Sequence, residues 1–178
     1  QEELLFKMKE ELTLFLERQR PITAQTLEAQ AQAQKEALSR PARKKLNQMG
    51  EEENELAGKV EFLVTALTDE GNLVYQMVLR SNLEDLREIS RRLGGRAPDP
   101  SRFTTLMQQD VERRTEQLLA ALERERLRRE QDRQQQQQQQ GQPNQSKNRF
   151  NEQRKKLVSL IAELEMLKQL GVDTRRAT

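Results

Sequence analysis

The sequence predicts an all-α fold, an elongated antiparallel helical bundle or coiled coil with a tethered C-terminal helix. Apolar residues recur three and four positions apart along most of the chain, a spacing that places them on one face of a helix. The 178 residues include only seven Gly and five Pro, which occur at a few places and so imply long uninterrupted elements. Hydrophobic and charged residues each make up 34% of the chain, a ratio that suits narrow apolar seams between helices.

The first part of the chain predicts two helices separated by Pro21. Residues 2–19 carry an apolar stripe, whereas residues 24–38 are mostly strong helix formers with a weak stripe. Because proline removes a hydrogen bond inside a helix, we expect a break at Pro21, with Thr23 as the N-cap of the second helix. The stripe of the first helix consists of Leu4, Leu5, Met8, Leu12, Phe15 and Leu16.

A regular repeat of three and four residues follows in segment 42–67, after a boundary at Ser39-Arg40-Pro41. Proline is acceptable in the first turn of a helix, so Pro41 is compatible with this start. Gly50 and Gly58 should weaken the helix by roughly 1 kcal/mol each relative to alanine. The repeat predicts a coiled-coil-like seam formed by Leu46, Met49, Glu53, Leu56, Val60, Leu63 and Leu67.

Two features of this helix concern the residues beside the seam. Phe62 and Val64 widen the apolar stripe, so we expect the C-terminal half of the helix to be the better buried half. Glu51, Glu52, Glu53 and Glu55 form an acidic group. A metal site built of oxygen ligands needs them to converge from a tight loop, so we interpret this group as a helix that exposes its carboxylates.

After a turn at 68–72, the next helix is predicted over residues 73–93. The segment 94–100 should end it firmly, because it contains two glycines that suit a helix C-terminus and two prolines that cannot continue it. Asp99 or Ser101 can cap the following helix. The apolar contacts expected from the 73–93 helix are Val74, Met77, Val78, Leu83, Leu86, Ile89 and Leu93.

The helix that begins near Phe103 changes character after Leu122, where its apolar stripe stops. Glu123–Arg133 is almost entirely charged, with opposite signs three and four residues apart. Such pairs support a solvated single helix, which we expect to run beyond its partners and to fray into the glutamine tract. The apolar contacts expected before this point are Leu106, Met107, Val111, Leu118, Leu119 and Leu122.

The chain divides into a helical body at 1–133, a glutamine-rich linker at 134–148, and a C-terminal amphipathic docking helix with a polar tail at 149–178. The seven consecutive glutamines favour a spacer, with a coiled-coil extension or a self-association tract as alternatives. A short isolated helix does not persist in water, so the C-terminal helix must dock on this chain or on another molecule. The predicted interface consists of Leu157, Leu160, Ile161, Leu164 and Leu167, with Arg175 and Arg176 available to an acidic partner.

The composition argues against several classes of function. The chain has no Cys and no His, which removes thiolate and imidazole nucleophiles and the preferred ligands of transition metals. We therefore expect no enzyme, and no catalytic, cofactor-binding or metal site. A hydrolase that uses carboxylates alone is the remaining enzymatic alternative, and it would need an enclosed pocket. No window reaches 18 apolar residues, so we expect no membrane span.

The favoured function is a non-enzymatic scaffold or adaptor that binds a protein partner or a second copy through helix–helix seams. We expect no nucleic-acid partner from Glu112–Arg133, where cations and carboxylates nearly balance. Two shorter windows, 40–45 and 147–156, are less balanced. The alternative function is therefore binding of an anionic surface, either nucleic acid or acidic lipid, through residues 147–156, which includes peripheral membrane contact.

The order of these segments also resembles a known group of proteins. A polar helical body, a glutamine tract, the leucine-rich helix 157–167 and the ending 174–178 are together similar to uncharacterised exported coiled-coil-rich proteins of planctomycete-type bacteria. The resemblance covers mainly residues 73–178, and residues 171–174 depart from the usual tail. It implies export to a periplasm-like space and association with a cell-envelope assembly, with a cytoplasmic location as the alternative. It implies no activity, cofactor or catalytic residue.

Overall fold

The computed structural model of the chain describes residues 2–68 and 73–138, together with positions 152, 154, 155 and 166. The helices of this described part confirm the all-α fold class. They are α1 (Glu2–Ala33), α2 (Arg40–Thr68), α3 (Leu73–Leu93) and α4 (Arg102–Gln138). The chain forms two units, Gln1–Leu119 and Ala120–Thr178, so α4 begins in the first unit and ends in the second.

The α1 helix runs without interruption through Pro21, so the predicted break and the separate helix at 24–38 are wrong. Pro21 lies on the exposed side, whereas Gln19 and Thr23 on either side of it are buried. Packing of the buried side outweighs the cost of an interior proline, which is roughly 3 kcal/mol. Thr23 is not an N-cap, because its hydroxyl donates a hydrogen bond of 3.2 Å to the carbonyl of Gln19 within the helix.

The α2 helix begins close to the predicted boundary. The Ser39 hydroxyl accepts a hydrogen bond of 3.3 Å from the backbone N–H of Ala42, which satisfies a donor of the first turn. All seven residues of the predicted seam are buried, from Leu46 to Leu67. The prediction that Phe62 widens the buried stripe is wrong, since its side chain is 65% exposed.

The α2 and α3 helices are antiparallel neighbours that approach closely near Gly50. The Ser90 hydroxyl donates a hydrogen bond of 2.7 Å to the Gly50 carbonyl, and further along Arg87 donates one of 2.7 Å to Glu61. A β-carbon at Gly50 would lie 3.0 Å from the carbonyl oxygen of Ser90 and 3.0 Å from the backbone nitrogen of Gly94. The sequence interpretation gave Gly50 only a helix-weakening effect, whereas the structure uses it for this contact.

The connection from α3 to α4 follows the prediction. Gly95 has a φ of 87°, a left-handed conformation that glycine adopts without strain. The backbone N–H of Asp99 donates a hydrogen bond of 2.8 Å back to the Arg92 carbonyl at the end of α3. The Asp99 carboxylate accepts one of 3.0 Å from the backbone N–H of Ser101 just before α4. These contacts fix the direction in which α4 leaves α3.

The α4 helix lies antiparallel to α1. Arg20 donates a hydrogen bond of 2.7 Å to Glu116, and Thr105 donates one of 3.1 Å to Gln30. The α4 stripe is more polar than predicted, because Leu106 is exposed and the buried positions include several polar residues. The buried residues of α4 are Thr104, Thr105, Gln108, Val111, Thr115, Leu118 and Leu122.

Candidate functional site

The predicted partner interface falls outside the described residues. This applies to Leu157, Leu160, Ile161, Leu164, Leu167, Arg175 and Arg176. The glutamine tract is described only as far as Gln138, where α4 ends. The candidate sites that the structure does describe lie in the bundle interior and on the outer faces of α3 and α4.

The principal interior site is a layer of polar side chains centred on Glu53. Glu53 is 0% exposed, so the prediction that it presents its carboxylate to water is wrong, although Glu51, Glu52 and Glu55 are exposed. Its Oε1 accepts hydrogen bonds of 2.8 Å from Gln19 on α1 and 2.7 Å from Gln108 on α4. We call Gln19, Thr23, Thr26, Glu53 and Gln108 the polar layer. It joins α1, α2 and α4.

The polar layer uses all of its donors and leaves acceptors without partners. The amide of Gln19 also donates to the Thr23 hydroxyl at 3.4 Å, and that of Gln108 also donates to the Thr26 hydroxyl at 3.1 Å. The two threonine hydroxyls donate to carbonyls of their own helix. Three buried oxygens, Glu53 Oε2, Gln19 Oε1 and Gln108 Oε1, have no hydrogen-bond partner. Unpaired buried acceptors cost free energy, so the layer lacks a donor.

Burial changes the chemistry of the Glu53 carboxyl. Loss of hydration raises its pKa to about 7, while the hydrogen bonds from Gln108 and Gln19 lower it and the nearby charges of Glu112 and Glu52 raise it. Desolvation is the dominant cause, because it penalises the charged form in the bundle interior. Glu53 can therefore exchange a proton near neutral pH, which an exposed glutamate does not do.

A second polar pair lies one heptad further along α4. Asn82 on α3 donates a hydrogen bond of 3.1 Å to the buried hydroxyl of Thr115, which itself donates to the Val111 carbonyl at 2.7 Å. Close by, Arg114 on α4 forms an ion pair with Asp85 on α3. A polar residue at a seam position favours the one alignment in which its partner is opposite. The Asn82–Thr115 pair joins α4 to α3, and the polar layer joins α4 to α1 and α2.

The buried polar residues of α1 and α4 were not predicted, although the spacing of residues in the sequence indicates them. In α1 the repeat of three and four residues continues through Met8, Leu12, Phe15, Gln19, Ile22 and Thr26, all of which are buried. The assumed break at Pro21 hid this continuation. In α4 the same repeat includes Gln108 and Thr115. Extending each repeat through its polar members would have placed them in the core.

The outer faces carry exposed apolar side chains near the α2–α3 connection. Leu73 and Met77 are 67% and 50% exposed and lie one turn apart on the same face of α3. The prediction that Met77 packs in the core is therefore wrong. Phe103 is also exposed. The guanidinium of Arg92 lies 4.5 Å from the centre of its ring and covers it in a cation–π contact.

The charged segment of α4 pairs with itself, as predicted. Arg126 forms ion pairs of 2.9 Å with Glu123 and 3.5 Å with Glu130. Arg128 and Arg129 each lie 2.8 Å from Glu125. Partial burial raises the pKa of Glu125, but the hydrogen bonds from the two arginines outweigh it and lower that pKa overall. These cations already have carboxylate partners, which disfavours phosphate binding by this segment.

Within the described ranges, no group of three or more acidic side chains could hold a metal ion. No helix in the described part of the chain combines the length and the apolar character that crossing a bilayer requires. Comparison with protein-family models, with curated proteins and with solved structures finds no significant similarity to this chain.

Proposed function

We propose that the chain is a non-enzymatic helical scaffold or adaptor that binds a protein partner or a second copy of itself through helix–helix seams. The observation that carries the proposal is the α2 seam, in which the repeat of three and four residues is buried at every position. The same repeat recurs near the C-terminus and predicts a helix that packs in the same way. Its interface residues are Leu157, Leu160, Ile161, Leu164 and Leu167.

Energetics support docking of this segment. A leucine side chain contributes about 1.5–3 kcal/mol when it is fully buried, so the four seam leucines can offset the cost of ordering a short helix. The seam can be covered by the chain's own bundle or by another molecule. The proposal assigns it to another molecule, with Arg175 and Arg176 available to pair with acidic groups on that partner.

The outer face of α3 provides a second surface for a partner. Leu73 and Met77 are exposed one turn apart, and Phe62 is exposed near the end of α2 that precedes them. Neighbouring exposed apolar side chains favour association when they form one continuous patch. We assign these residues a supporting role, since they would enlarge an interface without contributing to the bundle core.

The resemblance to exported coiled-coil-rich proteins supports the wider setting of this proposal. It favours an exported, periplasm-like location and participation in a cell-envelope assembly, with the cytoplasm as the alternative location. Fractionation of cells that produce the full-length protein tests the location directly. Recovery with periplasmic or envelope proteins supports the proposal, and recovery with cytoplasmic proteins contradicts its location.

Substitutions in the C-terminal seam test the interaction. Leu160→Asp combined with Leu164→Asp places charges on the apolar face and should abolish dimerisation or partner binding, as measured by sedimentation equilibrium and pull-down. Ser159→Asp combined with Ala162→Asp is the matched control, because these positions lie off the seam and receive the same charges. An unchanged mass and an unchanged pull-down in the seam variant would remove the docking proposal.

A truncation distinguishes docking on another molecule from docking on the chain's own bundle. A chain that ends at Arg133 lacks the linker and the C-terminal helix. If the helix docks on another molecule, the full chain should have a larger mass than its monomer and the truncated chain should be monomeric. If the helix instead packs on its own bundle, the full chain should be monomeric and the truncated chain less stable to urea.

The alternative function, binding of an anionic surface through residues 147–156, has one observation in its favour. Arg154 and Lys155 are exposed in the described part of this segment. Binding driven by counterion release should weaken steeply between low and moderate salt, whereas a leucine seam should respond little. Binding to single-stranded DNA or to vesicles with acidic lipid that is lost in Arg154→Gln with Lys155→Gln would favour this alternative.

A further inference from the structure

The polar layer has a feature that the proposed scaffold does not require. A seam can be held in register by neutral polar residues, yet this one contains a carboxyl at its centre with one oxygen buried and unpartnered. We propose that Glu53 is a proton-binding site inside the bundle, and that its ionisation loosens the joint between α1, α2 and α4. The ligand is a proton. Its release weakens the packing of α1 and α4 against α2.

The hydrogen bonds of the polar layer favour a proton on Glu53. Every amide N–H of Gln19 and Gln108 is already used, and both amides direct one N–H to the same oxygen of Glu53. The remaining layer atoms without partners are acceptors only. Protonation of Glu53 Oε2 converts an acceptor into a donor, which can satisfy the amide oxygen of Gln19 or Gln108. It also removes an uncompensated charge from the interior.

The charges around Glu53 also favour a proton on it. Glu52 on α2 and Glu112 on α4 both disfavour ionisation of Glu53, and one carboxylate oxygen of Glu112 is also buried without a partner. The two cations that flank Gln19 in α1 are engaged elsewhere, since Arg18 pairs with Glu55 at 2.8 Å and Arg20 pairs with Glu116 at 2.7 Å. The two charged groups that act most strongly on the pKa of Glu53 are carboxylates, and both raise it.

The remaining helix, α3, adds no charge that would compensate Glu53. The buried residues of α3 from Leu83 onward are all apolar, and its Ser90 hydroxyl donates to the Gly50 carbonyl. Arg87 on α3 pairs with Glu61 at 2.7 Å and both side chains are exposed. The apolar residues of this part of α3 are Leu83, Leu86, Ile89 and Leu93.

The direction of the pH effect follows from the raised pKa. An ordinary glutamate has a pKa of 4.5, whereas burial raises that of Glu53 to about 7 in the folded chain. Between these values the folded state binds more protons than the unfolded state, so stability decreases as pH increases. The stabilisation from neutral Glu53 is present in full below the unfolded pKa and is lost as pH rises through the folded pKa.

The loosening should be local. Ionisation places an uncompensated charge between Gln19 on α1 and Gln108 on the first part of α4, and it removes the donor that a protonated Glu53 offers to the polar layer. The α2–α3 pair keeps its contacts at Gly50 and at Glu61, which do not involve Glu53. Amide hydrogen exchange, corrected for its intrinsic pH dependence, should therefore increase in α1 and in α4 up to Leu119 more than in α2 and α3 as pH rises from 5.5 to 8.

A carboxyl titration of the full chain tests the proposal without a variant. The side-chain carboxyl carbon of Glu53, followed by NMR, should titrate near pH 7, well above the ordinary glutamate pKa of 4.5. A Glu53 signal that titrates near the ordinary value while the bundle stays folded would overturn the proposal, because the interior would then bind no proton near neutrality.

Urea unfolding of matched variants tests the consequence for stability. Glu53→Gln removes the charge and supplies the missing donor, and Glu51→Gln is the control because that carboxyl is exposed on the same helix. Between pH 5 and 8.5 the unfolding equilibrium constant of the wild type should rise on the order of a hundredfold relative to that of Glu53→Gln. Glu51→Gln should follow the wild type.

Two results of this experiment would contradict the proposal. One is a ratio of the unfolding equilibrium constants of wild type and Glu53→Gln that does not change with pH. The other is a wild-type stability at pH 8.5 that rises on addition of calcium or sodium ions while that of Glu53→Gln does not, since this would place a metal ion in the layer instead of a proton. A pH-dependent ratio that is insensitive to both ions supports the proton site.

Discussion

The carboxylate of Glu53 accepts a hydrogen bond of 2.7 Å from the side-chain amide of Gln108, which joins positions 55 residues apart on α2 and α4. Both side chains lie at seam positions that apolar residues occupy elsewhere. Sliding either helix by one turn would separate the two groups and leave each of them buried without its partner. The contact therefore favours one register of the bundle at some cost in stability.

The close approach of α2 and α3 makes two glycines of the same helix respond in opposite ways. Gly50→Ala would place a methyl group 3.0 Å from backbone atoms of Ser90 and Gly94, so we expect a loss of about 1–3 kcal/mol in the free energy of unfolding. Nothing lies within 4 Å of the corresponding position at Gly58. Gly58→Ala should therefore stabilise the chain by about 0.5–1 kcal/mol through helix propensity. Urea denaturation measures both, and equal effects would contradict the packing of α2 on α3.

Pro21 provides a test of the continuous α1 helix. Because the proline is exposed and interior, Pro21→Ala should restore a backbone hydrogen bond and raise the free energy of unfolding by about 2 kcal/mol. Pro41→Ala is the control, since Pro41 lies in the first turn of α2 where a proline costs little. Thermal and urea unfolding would show the difference. A destabilised Pro21→Ala variant would mean that the chain needs a break at this position.

Leu56 and Phe62 distinguish the buried seam from the exposed side of α2. Leu56→Ala removes a fully buried side chain and should cost about 2–5 kcal/mol. Phe62→Ala removes a larger but exposed ring and should change stability by less than about 0.5 kcal/mol. Urea denaturation of both variants at low protein concentration is the measurement. A larger loss for Phe62→Ala would place its ring in the core.

Local patterns predicted the parts of the fold that depend on nearby residues. The α3 helix has the predicted bounds, Leu73 to Leu93, because an apolar stripe and a glycine-proline exit are both contained in that stretch. The self-paired charges of Glu123–Arg133 were equally local, since their partners lie three and four residues away.

The errors arose where distant residues decide the outcome. Whether α1 continues through Pro21 depends on what its buried face contacts, which the residues around the proline do not reveal. The repeat of α2 placed Glu53 in the seam, but the two amides that donate to it lie 34 and 55 positions away and could not be read from the residues around it. Met77 fits the apolar stripe of α3 and was predicted as a core contact, but its side chain is 50% exposed in the folded chain.

A double-mutant cycle between Glu53 and Gln108 tests the central claim most directly, namely that this buried contact joins α2 to α4. The free energy of unfolding is measured by urea denaturation at pH 7 for Glu53→Leu, Gln108→Leu and the double variant. We expect the two single changes to be non-additive by more than about 1 kcal/mol, because each leaves the other group buried without its partner. Additive effects, within about 0.3 kcal/mol, would contradict the contact and the register that it defines.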